Sequence, residues 1–335
     1  MTPMSSPLIS IIIPSYNQGM FIRNTLQSIV NQQYANWEVI IQDGGSTDQT
    51  KEIAESFLAT DKRIFFKSEK DRGFSDAVNK ALVRCKGKFA IIQNSDDFFS
   101  SPDVFTSALN YFNRFPDLYL LSARFKRVDE QFRELLMQGH EKLQIGFIKP
   151  FDVYSLRSTF GQSSTFFSVD RIREIGMLSL NVDMVADTDT WIRIANYHPA
   201  GDDRIYFADE TWSCATFHNE QRSVNQSKFM IGRALMYTDL YFNSRLTVAE
   251  EEKKKIALLF VKDAFEYLIE RNQPTNEVEE MYRRITGEAI SIKKKIKKNI
   301  FQLPGMRNLI KGEIQKDGTS LMLSLPRGEN AKWFI

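Results

Sequence analysis

The sequence is poor in the residues that build covalent staples and metal cages: two cysteines and three histidines in 335 residues. Cys85 and Cys214 stand far apart and neither lies in a CxxC spacing, which excludes a disulfide framework. Reduced, partly buried thiols of a cytosolic protein are the expectation. No stretch approaches the ~20 apolar residues of a membrane span. The apolar run Leu8–Ile13 is too short for a signal peptide and lacks a basic flank, so a cytoplasmic location is expected. No GxGxxG follows that run and no Gly-Lys-Ser/Thr loop occurs, which weighs against dinucleotide and P-loop sites. Internal repeats are absent as well. A surplus of one charge is also missing: 44 Lys and Arg face 42 Asp and Glu, a net +2, and no nucleic-acid partner is expected.

What is present is ordinary soluble-protein composition, 42% hydrophobic and 12% aromatic, which excludes disorder and collagen-like classes. The length predicts one or two domains with a core that needs no staples. The near-neutral total hides an uneven distribution. Between Ala289 and Gly312 there are seven basic residues and no acidic one, which leaves 37 basic against 42 acidic elsewhere.

The first 120 residues alternate β-branched runs with helical spacing. Strands are predicted at Leu8–Ile13, Trp37–Ile41, Ile64–Phe66 and Phe89–Ile92, and helices at Phe21–Val30, Ile53–Leu58 and Ser75–Val83. Such alternation predicts a parallel sheet with right-handed crossovers, whose ligands bind at the carboxyl ends of the strands. The polar clusters Ser15-Tyr16-Asn17, Asp43–Asp48 and Asn94–Asp97 all follow predicted strands and fall at that edge. Further strands are predicted at Tyr119–Ala123 and Thr165–Phe167, and a helix at Asp189–Asn196. From Lys228 the sequence turns helical, with predicted helices Phe229–Tyr241, Val248–Arg271 and Val278–Lys298. The expected division is residues 1–225, an α/β domain, and 226–335, a helical extension.

Asp96 and Asp97 follow an apolar strand, beside Asn94. Adjacent carboxylates at a sheet edge suit a hard divalent cation, which takes few protein carboxylates and completes its shell with water and phosphate oxygens. The plain alternative is a solvated turn or helix cap. Asp43 opens Asp-Gly-Gly-Ser-Thr-Asp, where a carboxylate can accept from a base N–H and glycine permits close backbone approach. Ser46, Thr47 or Asp48 can at the same time cap the next helix.

The blocks Ser10-Ile-Ile-Ile-Pro-Ser-Tyr-Asn17, Ser28-Ile-Val-Asn-Gln-Gln33, Trp37–Asp48, Glu69–Lys80 and Gly87–Asp97 together resemble family-2 glycosyltransferases over roughly residues 8–225. The resemblance implies the GT-A fold, a Rossmann-like, mostly parallel sheet flanked by helices, here with a C-terminal helical extension. It implies a metal-dependent, inverting hexosyl transfer from a nucleoside-diphosphate-sugar, with a UDP-sugar expected, to a glycan or lipid-linked acceptor in surface polysaccharide synthesis. Mn²⁺ or Mg²⁺ is the implied cofactor.

The resemblance also implies roles residue by residue. Asp43 contacts the base; Pro14, Tyr16, Arg72, Asp76, Lys80, Asn94 and Asp97 border the nucleotide-sugar. Asn94-Ser-Asp96 occupies the place of the family's DxD motif, with Asn where the first Asp often stands, so the metal role falls on Asp96 and Asp97 is its neighbour. In Val185-Ala-Asp-Thr-Asp-Thr-Trp191, Asp187 matches the catalytic base and Asp189 the second carboxylate, with Ala186 where Glu is common. Asp189 alternatively serves the helix start through the macrodipole. Gln162 lies on the acceptor side, and His218 matches a late histidine near the metal or diphosphate. Trp191 and Trp212 are read as sugar platforms or core, with core preferred for Trp191.

Two rivals stand beside this reading. A sugar nucleotidyltransferase needs a Gly-rich basic loop after the first strand, which Ser15-Tyr-Asn-Gln-Gly19 does not supply. A non-catalytic glycan- or nucleotide-binding protein would tolerate loss of the carboxylates that are present here. Finally, Ile292, Ile296, Ile300 and Leu303 interleave with lysines as an amphipathic basic helix suited to an anionic membrane surface, or else packed with its lysines in water.

Overall fold

The structure is a computed structural model, and it describes residues 7–135, 144–197, 203–219, 221 and 224–290. The interleaved lysines and isoleucines from residue 292 onward therefore lie outside the described residues. The described chain falls into two compact units, one of Met1–Val224 with Phe242–Glu252 and one of Asn225–Tyr241 with Lys253–Ile335.

The first unit is built on one mixed sheet. Its leading strands are β1 (Ile9–Ser15), β2 (Trp37–Asp43), β3 (Ile64–Ser68) and β4 (Phe89–Ile92), followed by β5 (Phe98–Phe99), β6 (Leu120–Val128), β7 (Glu134–Leu135), β8 (Gly146–Phe147), β9 (Thr165–Ser168) and β10 (Ile205–Thr216). The spatial order is β3-β2-β1-β4-β9-β6-β10-β5, with β7 on β6 and β8 on β10. β1 pairs parallel with β2 and β4, and β10 parallel with β6, while β9 runs antiparallel between β4 and β6. One reversed strand thus joins two parallel blocks. The register Ile9↔Trp37 through Ser15↔Asp43 brings the carboxyl ends of β1 and β2 level, so their loops open on the same edge.

β1, β2 and β4 are buried on both faces, which is why they read as nearly unbroken apolar runs. One face is covered by α1 (Ile22–Val30) and α4 (Val104–Arg114), whose Ile22, Leu26, Ile29, Phe105 and Leu109 join Ile11, Ile13, Val39 and Ile41 in a single core. α3 (Phe74–Arg84) packs on β1 and β2 through the buried Ala77, Val78, Ala81 and Leu82. α2 (Thr50–Leu58) follows β2. After β8 come α5 (Pro150–Tyr154), α6 (Val169–Glu174) and α7 (Ala186–Asn196). Trp191 and Trp212 are both buried; Trp191 packs against Phe167 and Trp212 against Phe166, so neither presents a face to a sugar.

The period-two pattern of β10 is broken by register shifts against β6 between Phe207 and Ser213. Such irregularities put successive side chains on unexpected faces, which explains why no strand was predicted there. The second unit contains α8 (Gln226–Tyr241), α9 from Lys253 onward (Glu250–Glu270 in full) and α10 (Asn276–Thr286). Within it Tyr237 stacks on Phe260 at 4.3 Å, and α10 packs on α8. The expected helix Val278–Lys298 is corrected: α10 ends at Thr286 because Gly287 takes φ 77°, the left-handed stop that glycine adopts without Cβ strain.

Candidate active site

Asp96 and His218 meet at the edge where the strands end. The Asp96 Oδ2 and His218 Nε2 atoms are 2.9 Å apart, although 122 residues separate them in sequence. The imidazole is held by stacking on Phe21 at 4.7 Å, and α1 steadies the loop below it. Thr25 Oγ1 lies within hydrogen-bonding reach of the Ser95 carbonyl (2.9 Å) and the Asp97 carbonyl (2.7 Å). Asp97 itself turns inward. Its Oδ1 accepts from the Thr216 N–H at 3.1 Å and its Oδ2 from Asn94 Nδ2 at 3.2 Å. Burial, and then the neighbouring Asp96 charge, pushes its carboxyl well above the usual carboxylate range. Asp97 therefore fastens the loop after β4 to the end of β10 and leaves Asp96 as the outward carboxylate.

An oxygen and an imidazole donor side by side fit a divalent cation such as Mn²⁺ or Mg²⁺. Among the described residues no set of three or more His, Cys, Asp or Glu gathers as a ligand cage. Two protein donors suit an ion that fills its other positions with water and diphosphate oxygens.

The donor-side residues divide by what their side chains already hold. Asp43 is fully buried. Its Oδ2 accepts from the Gly45 and Ser46 N–H groups (3.1 and 2.9 Å) and from the Ser68 hydroxyl (2.5 Å), and its Oδ1 accepts from the Ser46 hydroxyl. Three of these four hydrogen bonds fall on Oδ2 and one on Oδ1. Tyr16 is the exposed member, 60% accessible, just beyond Pro14 at the end of β1. A Cβ on Gly44 would stand 3.3 Å from its ring and 2.8 Å from Asp71 Oδ2, so the missing side chain lets ring and carboxylate flank the backbone there.

Arg72 keeps its guanidinium largely in solvent while reaching Asp76 at 3.2 Å. Burial raises the Asp76 carboxyl, but hydrogen bonds from Arg72 and Lys80 outweigh it and hold the group below its ordinary range. Lys80 is turned along the helix: its Nζ donates to the Lys70 carbonyl at 2.8 Å and sits 3.4 Å from Asp76.

The acceptor-side and donor-side candidates touch. Gln162 Nε2 donates to Asn94 Oδ1 at 2.6 Å, which links the 3-10 turn before β9 to the loop after β4. Asp187 is part-exposed in the first turn of α7. Asp189 is buried, and its Oδ2 accepts from Arg193 Nε at 2.7 Å in a pair whose side chains are 6% and 7% exposed. That carboxylate holds α7 together and does not open on the edge.

Three site residues carry no local signal in the sequence. Thr25 and Phe21 look like members of an amphipathic helix, and Asp183 looks like a loop residue. Yet Asp183 Oδ1 accepts from the Ser75 N–H at 2.6 Å, across 108 residues, and so caps α3. The turn it caps requires glycine: Gly73 has φ 117° and ψ −172°, and a Cβ there would stand 2.9 Å from Asp183 Oδ2. Gly73→Ala is expected to cost about 1–3 kcal/mol, read as a lower urea midpoint with an unchanged slope.

Comparison with known proteins agrees with this architecture. The profile described as Glycosyl transferase family 2 matches residues 10–175. The chain is similar to chondroitin synthase of Escherichia coli, 34% identical over 125 residues, covering 37% of this chain and 18% of that protein. It is also similar to glycosyltransferase GlyG of Streptococcus pneumoniae, 37% identical over 93 residues, covering 28% and 31%. The chain spans less than half the length of the first curated relatives it matches. Among solved structures, TarS of S. aureus in complex with UDP-GlcNAc superposes with a TM-score of 0.64 at 17% identity, over 83% of this chain and 81% of that one. The mannosyltransferase PcManGT of Pyrobaculum calidifontis in complex with GDP-Man and Mn²⁺ gives 0.56 at 16%, over 78% and 76%. At that identity the likeness shows the fold, which is GT-A. Residues 10–175 of this chain are a glycosyl transferase family 2 domain.

Proposed function

We propose that the protein is a metal-dependent, inverting glycosyltransferase that moves a sugar from a nucleoside-diphosphate donor, a UDP-sugar first, to a hydroxyl of a glycan or lipid-linked acceptor. The observation that carries this reading is the Asp96–His218 pair at the strand ends, with Asp187 at the start of α7 as the part-exposed carboxylate. TarS bound to UDP-GlcNAc and PcManGT bound to GDP-Man and Mn²⁺ support the donor class and the cation. The name of the E. coli relative, chondroitin synthase, supports a polysaccharide product.

Asp96 Oδ2 and His218 Nε2 would hold Mn²⁺ or Mg²⁺. When bound, that ion offsets the negative charge developing on the departing diphosphate. Tyr16 offers its exposed ring to the base, and Asp43 shapes the turn beside it. Arg72 has the reach to pair with phosphate oxygens. Gln162, held by Asn94, faces the sugar or acceptor. Asp187 accepts the proton of the acceptor hydroxyl as its oxygen attacks the anomeric carbon. Displacement from the opposite face inverts that carbon. The same reading keeps residues 1–225 as the catalytic domain and 226–335 as an extension, with the lysine-rich stretch after residue 292 as a peripheral contact to anionic lipid. No described helix is long and apolar enough to cross a membrane.

The test is a thermal-shift screen of UDP- and GDP-sugars with and without Mn²⁺, because a ligand present at 100 times its Kd stabilises by about 2.7 kcal/mol. One sugar nucleotide is expected to raise Tm in a Mn²⁺-dependent way. His218→Ala is expected to lower the affinity for Mn²⁺ in that assay about 10–100-fold while nucleotide alone binds as before. No stabilisation by any sugar nucleotide would remove the enzyme reading. NMR of the product's anomeric coupling then decides the stereochemistry, and retention would sink the assigned mechanism.

A further inference from the structure

α3 is fastened at three points, and all three fasteners come from one short stretch of chain. At its amino end, Asp183 Oδ1 accepts the Ser75 N–H at 2.6 Å. In its middle, Asn79 clamps the Leu178 backbone from both sides, donating to the carbonyl and accepting from the N–H at 2.9 Å each. At its carboxyl end, Arg173 donates to the carbonyls of Leu82 (3.0 Å) and Cys85 (2.7 Å). Positions 75, 79 and 82 lie on one stripe of the helix. The signs also match the macrodipole, a carboxylate at the amino end and a guanidinium at the other.

The stretch 173–183 therefore lies along α3 as a splint. Its last fastener is followed within one 3-10 turn, Asp183–Val185, by the start of α7 at Ala186. Asp187 is the second residue of that helix. The neighbouring stripe of α3 carries Asp76 and Lys80, which hold the Arg72 loop. One carboxylate thus ties the helix that orders the donor loop to the helix that carries the base.

We propose that Asp183 is a positioning residue: by capping α3 it fixes the start of α7 and so sets the Asp187 carboxylate relative to the donor-binding edge. This rests on the reading of Asp187 as the base. A fastener of this kind acts on rate, because small displacements of a reacting group cost far more in turnover than in binding.

The experiment compares Asp183→Ala and Asp183→Asn in the full chain, by two readouts. The first, amide hydrogen exchange by NMR, needs no substrate. In Asp183→Ala, exchange is expected to accelerate about tenfold at Ser75 and also at Thr190–Ile192 in α7, whereas Asp183→Asn, whose amide oxygen still accepts from Ser75, stays close to the parent. The second is Mn²⁺-supported hydrolysis of UDP-GlcNAc and GDP-mannose, corrected for folded fraction. Asp183→Ala is expected to lower kcat about 10–100-fold with donor KM unchanged, and Asp183→Asn to restore most of it. Acceleration confined to α3 overturns the proposal, as does a kcat loss that Asp183→Asn shares equally or that vanishes after the correction. If neither nucleotide is turned over, exchange alone judges the coupling, and the glycosyltransfer reading fails only if no sugar nucleotide in the thermal-shift screen binds. If Asp187→Asn hydrolyses as fast as the parent, the base assignment fails while the exchange result stands.

Discussion

Asp187→Asn is expected to lower kcat for sugar transfer by about 10²–10⁴-fold, the range a positioned general base contributes, with the donor nucleotide bound as tightly as before. The reason is local. Asp187 sits part-exposed in the first turn of α7, so Asn keeps its shape and a polar contact while losing the ability to take a proton. The stability cost includes the macrodipole contribution of a first-turn carboxylate, about 0.3–1 kcal/mol. A steady-state comparison with binding of UDP by calorimetry separates the two effects. A kcat within twofold of the parent would transfer the base role elsewhere, and an equal loss of nucleotide affinity would mean that Asp187 serves binding.

Asp189, two residues later, is expected to behave in the opposite way. Asp189→Ala should lower unfolding stability by about 3–5 kcal/mol, because it leaves the Arg193 guanidinium buried without its carboxylate. Arg193 is 6% exposed overall and keeps only the Ile175 carbonyl at 3.1 Å and the Thr190 hydroxyl at 3.3 Å. Against a total stability of roughly 5–15 kcal/mol, that loss is large enough to unfold part of the population at 37 °C. Urea denaturation measures it. The pair Asp189→Leu with Arg193→Met should recover much of the loss, since a buried ion pair is replaced by apolar volume at little net cost. A loss below 1 kcal/mol for Asp189→Ala would show that the pair does not hold α7. The two carboxylates of one short motif thus separate cleanly, one by rate and one by stability.

The strand runs at Ile9–Ser15, Trp37–Asp43 and Phe89–Ile92 were legible because these three strands are buried on both faces, so composition alone marks them. Asp96 was legible because a polar cluster after such a run must fall at the carboxyl edge. The inward turn of Asp97 was not. Asp96 and Asp97 are chemically identical in the sequence, and what divides them is the Thr216 N–H at the end of β10, a strand whose broken alternation concealed it. Asp43 poses the same difficulty: the motif marks its place, while Ser68, on the next strand, decides that its carboxylate is already engaged.

The family, the parallel half of the sheet and the edge that holds the polar clusters follow from local runs and spacings, because burial and turn chemistry are properties of neighbouring residues. The partners do not. His218 beside Asp96, Gln162 on Asn94 and Asp183 capping α3 each join residues 68 to 122 positions apart. No period or motif encodes such distances. They arise only when one reversed strand, β9, brings the two parallel blocks together and sets the loops of both on a single edge.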